Sequence, residues 1–157
     1  MTPAPSPRKL VCQNRKARHL YHIEETFEAG LALLGAEVKS LRKGRGSLVE
    51  SFAHPAGSEL YIHGFHIPPY EQATHETIDP VRPRKLLLHR REIDRLIGAV
   101  SRKGYTIVPL NVYFKDGRAK MEIGLGRGKK EYDKREDIKK RDQEREMRRA
   151  TSQDRKR

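Results

Sequence analysis

The dipeptide Asp116-Gly117 constrains this chain more than any other feature of its sequence. A two-residue type I′ turn needs positive φ at both central positions, and Asp-Gly is among the few pairs that supply it. With that turn in place, Phe114 faces Ala119, Val112 faces Met121, Leu110 faces Ile123 and Val108 faces Leu125. Even positions on the first strand then meet odd apolar positions on the second. A slip of one residue would carry Lys120 and Glu122 into the same face, so the register is well specified. Pro109 has no amide to donate and predicts a bulge or an edge at that point.

Weaker strand signals surround this hairpin. Tyr21, Ile23 and Phe27 alternate with polar neighbours up to Gly30. Residues 60–62, with Phe65 and Ile67, form another candidate between Gly57-Ser58 and Pro68-Pro69, and residues 47–53 can pair with it through a turn at 54–57. Two helices fit between. Ile93, Leu96, Ile97 and Val100 share one face, with a stop at Gly104, and Leu34, Val38 and Leu41 do so over a shorter span ending at Gly44. The fold class expected is mainly β (α+β): a small antiparallel barrel of the oligonucleotide-binding type with short flanking helices.

Composition divides the chain. Residues 127–157 hold 14 Lys and Arg against 8 Asp and Glu, and their few apolar residues, chiefly Tyr132, Ile138 and Met147, cannot build a core. The expected organisation is a disordered leader over 1–13, a folded body over 14–126 and a basic tail over 127–157. Acid-to-base pairs recur at i, i+4 in the tail, as in Glu136/Lys140 and Glu144/Arg148. Each stabilises a helix by only ~0.2–0.5 kcal/mol. The tail is therefore expected to be disordered when free and helical along a polyanion.

The whole chain carries 34 Lys and Arg against 21 Asp and Glu, a formal net charge of +13, which makes nucleic acid the default partner. The cations fall in blocks: Arg15, Lys16 and Arg18 beside Asn14 and His19; Lys39, Arg42, Lys43 and Arg45; Arg82, Arg84 and Lys85; and Arg127 onward. Blocks at element ends can converge on phosphates, and guanidinium groups suit RNA because they bind phosphate bidentately and stack on unpaired bases. The plainer alternatives are solvated surface charge for the cations, a turn cap for Asn14 and an ordinary surface residue for His19. Glu24, Glu25, Glu28 and Glu37 are expected to be intramolecular partners that hold arginines in place.

Signals for catalysis, metals and membranes are weak. The run from Gly124 to Lys130 fails both the phosphate-loop and the dinucleotide spacing, and reads as a flexible strand exit. His63 and His66 stand at an odd spacing, which on a strand places them on opposite faces. The single cysteine, Cys12, cannot form an internal disulfide and favours a reducing cytoplasm. No apolar stretch approaches the ~20 residues of a membrane span, and the proline-rich start is not a secretory signal. No enzyme activity, metal or cofactor is expected.

Several blocks, in order, resemble a known family: Asn-Arg-Lys-Ala-Arg-His at 14–19, Ile-Glu-Glu-Thr-Phe-Glu-Ala-Gly at 23–30, and Gly-Ala-Glu-Val-Lys-Ser-Leu-Arg at 35–42. They continue with Arg-Pro-Arg-Lys-Leu-Leu-Leu-His at 82–89, Gly-Tyr-Thr-Ile-Val-Pro at 104–109 and Gly-Lys-Lys-Glu-Tyr-Asp-Lys-Arg at 128–135. The set resembles the SsrA-binding proteins of bacteria, the small protein B family. Ala36 departs mildly from it. The resemblance implies a factor of trans-translation that binds the tRNA-like domain of transfer-messenger RNA (tmRNA), delivers it to stalled ribosomes, and lays its tail in the empty decoding centre and message channel. It implies tmRNA contacts from Asn14, Glu28, Arg84, Lys85, Leu86, Leu87 and Lys120, to which the basic blocks add Arg15, Lys16, Arg18, His19, Lys39 and Arg42. It implies a decoding-centre motif of Tyr132, Asp133, Lys134, Arg135, Ile138 and Lys139, approached through Lys129 and Lys130. Its implied partners are tmRNA, the small-subunit rRNA of the stalled ribosome, and elongation factor Tu through alanyl-tmRNA, with the protein a monomer. The alternative is a basic ribosomal or ribosome-assembly protein whose tail threads rRNA.

Overall fold

The computed structural model describes residues 8–70, 78–102, 104–129 and 131–154, with the backbone alone for 131–134, 137 and 151–154. In chain order the elements are β1 (Arg8–Gln13), α1 (Ala17–Leu20), β2 (Tyr21–Leu31), α2 (Gly35–Arg42), β3 (Phe52–Ala56), β4 (Glu59–His63), β5 (Arg84–Leu87), α3 (Arg90–Val100), β6 (Tyr105–Lys115), β7 (Arg118–Gly128) and α4 (Glu131–Asp154). All strand pairs are antiparallel, and neighbours run β1-β6-β3-β4-β5-β2-β7 with β7 returning to β6. Strands β2 to β7 thus close into a ring, as the oligonucleotide-binding reading requires, and β1 lies against the free side of β6.

The β6–β7 hairpin shows where the register expectation holds and where it breaks. Asp116 and Gly117 take φ of 52° and 76°, the type I′ signature. Phe114 faces Ala119 and Val112 faces Met121, as expected. Beyond Asn111 the pairing shifts: Pro109 faces Ile123, Val108 faces Gly124 and Ile107 faces Leu125. The bulge anticipated at Pro109 is present, and it corrects the expected Leu110–Ile123 and Val108–Leu125 pairs. An extra residue in one strand reverses which parity faces inward. Val112 and Phe114 therefore join the main core with Ile107, while Val108 and Leu110 turn to a second cluster with Ala17, against which Tyr21 and Ile23 pack.

β2 carries a matching irregularity between Ile23 and Glu25, so its inward face also switches, from Ile23 in the small cluster to Phe27 in the main one. Gly124 sits between the bulges, where a Cβ would lie 2.8 Å from Ile23 Cγ2 and 3.3 Å from Leu110 Cδ1. The supposed flexible exit is thus a paired strand through Gly128, its glycines letting β2 approach closely.

Other expectations need correcting. Residues 8–13, assigned to a disordered leader, form β1 on Asn111–Lys115, so Cys12 is half-buried in a strand. Residues 1–7 lie outside the described residues. The second hairpin turns at Gly57-Ser58, with Ala56 opposite Glu59, and not at 54–57. Gly57 supplies a φ of 63°, and Pro55 is tolerated within β3. α2 and α3 fall where periodicity put them, with Leu41, Ile93 and Leu96 buried, although Leu34 caps α2 from an exposed position. The tail is traced as one helix, α4. From residue 129 onward no Gly or Pro interrupts it, but its described side chains are exposed, including Ile138 and Met147, so no apolar face packs it.

Two glycines test the tight approach of β2 to β7. A Cβ on Gly126 would stand 2.2 Å from the His22 carbonyl oxygen, whereas one on Gly128 meets nothing within 4 Å. Urea denaturation should show Gly126→Ala destabilised by at least about 2 kcal/mol. Gly128→Ala should stay within about 0.5 kcal/mol of the parent.

Candidate nucleic-acid interface

The candidate residues separate into a buried set and two surface groups at opposite ends of the β6–β7 ribbon. Arg84 is the most deeply buried of them, with no exposed surface, and Leu86 is equally enclosed. β5 alternates, so Arg84 and Leu86 face inward while Lys85 and Leu87 face out. The expected RNA contacts from the Arg84 and Leu86 side chains are therefore corrected to structural roles. Arg84 donates from Nε to Glu37 Oε2 at 2.6 Å, from Nη1 to the Phe65 carbonyl at 2.5 Å and from Nη2 to the Pro80 carbonyl at 3.1 Å.

Glu37 answers it from the first turn of α2. Its carboxylate also accepts from Arg82 Nη2 at 2.5 Å and from the Leu34 amide at 2.8 Å. Burial alone would raise its pKa, but the bonds from Arg82, the Leu34 amide and Arg84 outweigh it and hold the carboxyl below its ordinary 4.5. This confirms the expectation that Glu37 is an intramolecular partner. Glu24 and Glu25 do the same at the surface, with Arg127 at 2.9 Å and Arg95 at 2.8 Å.

One surface group surrounds the hairpin tip. Gly30 on β2 faces Leu87 on β5 and Lys120 on β7, so a side-chain-free strip runs between an apolar and a cationic residue. Leu87 is 48 % exposed although apolar. Glu28 lies two residues along the same face of β2 and accepts a hydrogen bond from the Tyr113 hydroxyl. That bond, against a smaller cost of burial and with Lys115 and Arg8 nearby, keeps its carboxyl low. Arg42 reaches the tip from α2, with Nη2 3.5 Å from the Gly117 carbonyl oxygen and its guanidinium 5.7 Å from the Phe114 ring. Lys39 stands at 5.7 Å over the Tyr70 ring. The fold thus brings Glu28, Leu87 and Lys120 together and sets Arg42 beside the same hairpin. Lys85 is held nearer Glu59, at 3.8 Å.

The other group gathers at the bulged end. Asn14 donates from Nδ2 to the Pro109 carbonyl at 2.9 Å and from its amide to the Leu110 carbonyl at 2.8 Å. It satisfies two acceptors freed by the bulge, close to the turn-capping role weighed for it. Ala17 anchors α1 in the small cluster, leaving Arg15, Lys16 and Arg18 exposed and His19 half-buried. The Lys129 amide donates to the Leu20 carbonyl at 2.8 Å, bringing the root of the tail against α1. A cleft of about 430 Å³ between α1 and α4 is lined by Arg15, Arg18, His19, Lys129, Lys140 and Arg141, with Glu144 as its carboxylate.

The decoding-centre candidates lie at the start of α4. Arg135, Ile138 and Lys139 are exposed along it. Lys130 and the side chains of Tyr132, Asp133 and Lys134 lie outside the described residues. Sequence reasoning missed Arg8, which packs at 4.7 Å over Tyr113 and pairs with Glu28 at 3.5 Å and Glu122 at 3.8 Å. The available signal was the short apolar run Leu10-Val11-Cys12, too brief to stand out beside the charged Arg8-Lys9. Among the described residues no cluster of His, Cys, Asp or Glu could hold a metal, and no helix is long and apolar enough to cross a membrane.

Comparison with known proteins converges on one family. A family model described as "SmpB protein" matches residues 11–153. The "SsrA-binding protein" of Salinispora arenicola is 60% identical over 148 residues, spanning 94% of this chain and 93% of the relative. That of Geobacillus thermodenitrificans is 56% identical over 142 residues, spanning 90% and 92%. A solved chain described as "tmRNA-SmpB: a journey to the center of the bacterial ribosome" is 50% identical, with a TM-score of 0.63 over 82% of this chain and 87% of that one.

The buried pair makes a test with a defined sign. Glu37→Ala strands a buried guanidinium and should cost about 3–5 kcal/mol at pH 7 by urea denaturation. Because the Glu37 pKa is lowered by folding, its stabilisation is present above the ordinary carboxylate value of 4.5 and is lost as pH falls through the lower folded value. The stability gap between parent and variant should therefore narrow in acid.

Proposed function

This chain belongs to the SmpB family of SsrA-binding proteins, and from that premise we propose that it is an RNA-binding factor of trans-translation. The observation that carries the reading is the family match over residues 11–153, which takes in the barrel and most of the basic tail together. The barrel binds the tRNA-like domain of tmRNA and delivers it to a stalled ribosome. Leu87, Lys120 and Glu28 at the hairpin tip, with Arg42 beside them and Lys39 on the same helix, make one contact surface. Asn14 positions a second through Arg15, Lys16, Arg18 and His19. Leu87 offers an apolar face to a ribose or base, and Lys120 a point charge to phosphate.

The tail acts later. Its helix has exposed cations and no apolar stripe, so its stabilising partner is a polyanionic surface, the small-subunit rRNA around the vacant decoding centre and message channel. Tyr132, Asp133, Lys134, Arg135, Ile138 and Lys139 are the residues placed there. Elongation factor Tu joins through alanyl-tmRNA, and the work is cytoplasmic. The protein catalyses nothing: it supplies shape and charge, and the ribosome supplies the chemistry. A ribosomal or assembly protein is the less favoured reading, because the relatives share the SsrA-binding name over nearly their whole length.

Two variants separate the modules. Tyr132→Ala combined with Asp133→Ala should leave tmRNA affinity unchanged in equilibrium binding, yet abolish peptide tagging on stalled ribosomes in a reconstituted translation assay. Leu87→Ala should weaken tmRNA binding without changing the urea midpoint. A loss of RNA binding in the tail variant would refute the division into two modules.

A further inference from the structure

An apolar groove lies between α1 and the loop that enters β3, and the contacts proposed so far use the cations on its α1 side but leave its apolar walls unused. It encloses about 480 Å³, walled by Leu20, Tyr21, Val49 and Phe52, with Arg15 and Lys16 on its α1 side. That volume lies within the ~300–1,000 Å³ of small-molecule sites. Three of its walls are large apolar side chains left in water: Val49 is 74 % exposed, Phe52 51 % and Leu20 38 %.

The loop that presents Val49 and leads into Phe52 is held in place. Glu50 adopts a φ of 62°, in the left-handed region that a glutamate rarely enters. The bend packs so closely that a Cβ on Gly64 would lie 2.8 Å from the Glu50 carbonyl oxygen. Gly64, at φ 71°, is the residue that permits this approach. Phe52 then faces His63 across the β3–β4 ladder, their rings 5.1 Å apart and within 13° of parallel. His63 backs one side of the Phe52 ring, and the exposed half borders the groove.

We infer that this groove takes one unpaired nucleotide of the bound RNA, its base stacked on Phe52 and its phosphates against Arg15 and Lys16. The inference rests on the RNA-binding reading above and names the chemistry at the bulged end of the barrel. A base presents a flat π-face and brings its own anionic linker, so it matches both the braced aromatic and the cations beside it. The charged groups lining the groove are Arg15, Lys16 and Glu50, two cations against one carboxylate. An apolar protein segment would cover Val49 and Phe52 but leave those cations uncompensated. Asn14, bonded to the Pro109 carbonyl, fixes the chain from which the cations project.

The chain contains no tryptophan, so Phe52→Trp installs a single fluorophore at the stacking position. With the full-length protein, saturating tmRNA should quench that fluorescence. Phe52→Ala should lower tmRNA affinity about ten-fold or more at near-physiological salt, with the salt slope unchanged, since stacking releases no counterions. Arg15→Ala with Lys16→Ala should instead reduce the slope by about two. Phe52→Trp keeps an aromatic face on His63, so its urea midpoint should match the parent. Phe52→Ala gives up that stack, so its midpoint should fall slightly while the protein stays fully folded without urea.

Hexaadenylate, a probe with no tRNA-like fold, separates this inference from the functional reading. If the parent shows no preference for tmRNA but hexaadenylate quenches F52W, the nucleotide groove stands and the tmRNA reading falls. Unquenched F52W with both probes, together with parental affinity in Phe52→Ala, would overturn the inference. Parental tmRNA affinity combined with weaker pelleting of Phe52→Ala on tmRNA-free ribosomes would also overturn it, and would give the groove to a ribosomal surface.

Discussion

The buried ion pair between Glu37 and Arg84 is the constraint on which the outer surfaces of this protein depend. Through it the start of α2, the strand β5, the Phe65 carbonyl and the Pro80 carbonyl meet at one point inside the barrel. A guanidinium with no exposed surface is tolerable because the carboxylate and two carbonyls account for its charge and most of its donors. The inward pull on Arg84 sets the phase of β5, so that Leu87 emerges beside Gly30 and Lys120. The grip on Glu37 fixes α2, from which Lys39 and Arg42 project. What looks like a basic patch is thus arranged from within by one acidic residue.

A second constraint acts through the bulges. Pro109 removes an amide at the position where β6 must change partners, from β1 along its second half to β3 at Ile107. The reversal of parity there, matched at Glu24 on β2, splits the apolar residues into a main core and a small cluster under α1. That small cluster is what gives the block from Arg15 to His19 a defined position. The two ends of the β6–β7 ribbon consequently carry different chemistry. The hairpin tip is an apolar and cationic strip tuned by Glu28, and the bulged end is a cationic helix beside an apolar groove and the root of the tail.

Much of this was legible in the chain, and the failures have physical causes. Asp116-Gly117 dictated the hairpin because backbone conformation at a type I′ turn admits few residues, and that register holds to Asn111. It failed beyond because a bulge inserts a residue without altering the apolar pattern, although Pro109 marked the place. Arg84 was read as a surface cation because it stands in a basic block, while the period-two link to Leu86 already put it on the inward side. Arg8 to Gln13 lacked enough apolar residues to stand out, since a strand that adds to a formed barrel needs little core of its own. The groove was invisible because Val49, Phe52, Arg15 and Lys16 are far apart in sequence and meet only when α1 docks on the small cluster.

The account stands on the claim that the barrel is a specific RNA-binding module and the tail a separate one. Equilibrium binding of the full chain and of residues 1–129 to tmRNA, an unrelated tRNA and duplex DNA, at low and near-physiological salt, tests it most directly. Charge alone mimics specificity at low salt, so the higher salt decides. Both forms should keep a clear preference for tmRNA there. A preference that vanishes, or that survives only with the tail attached, would contradict the account and leave a general polyanion binder.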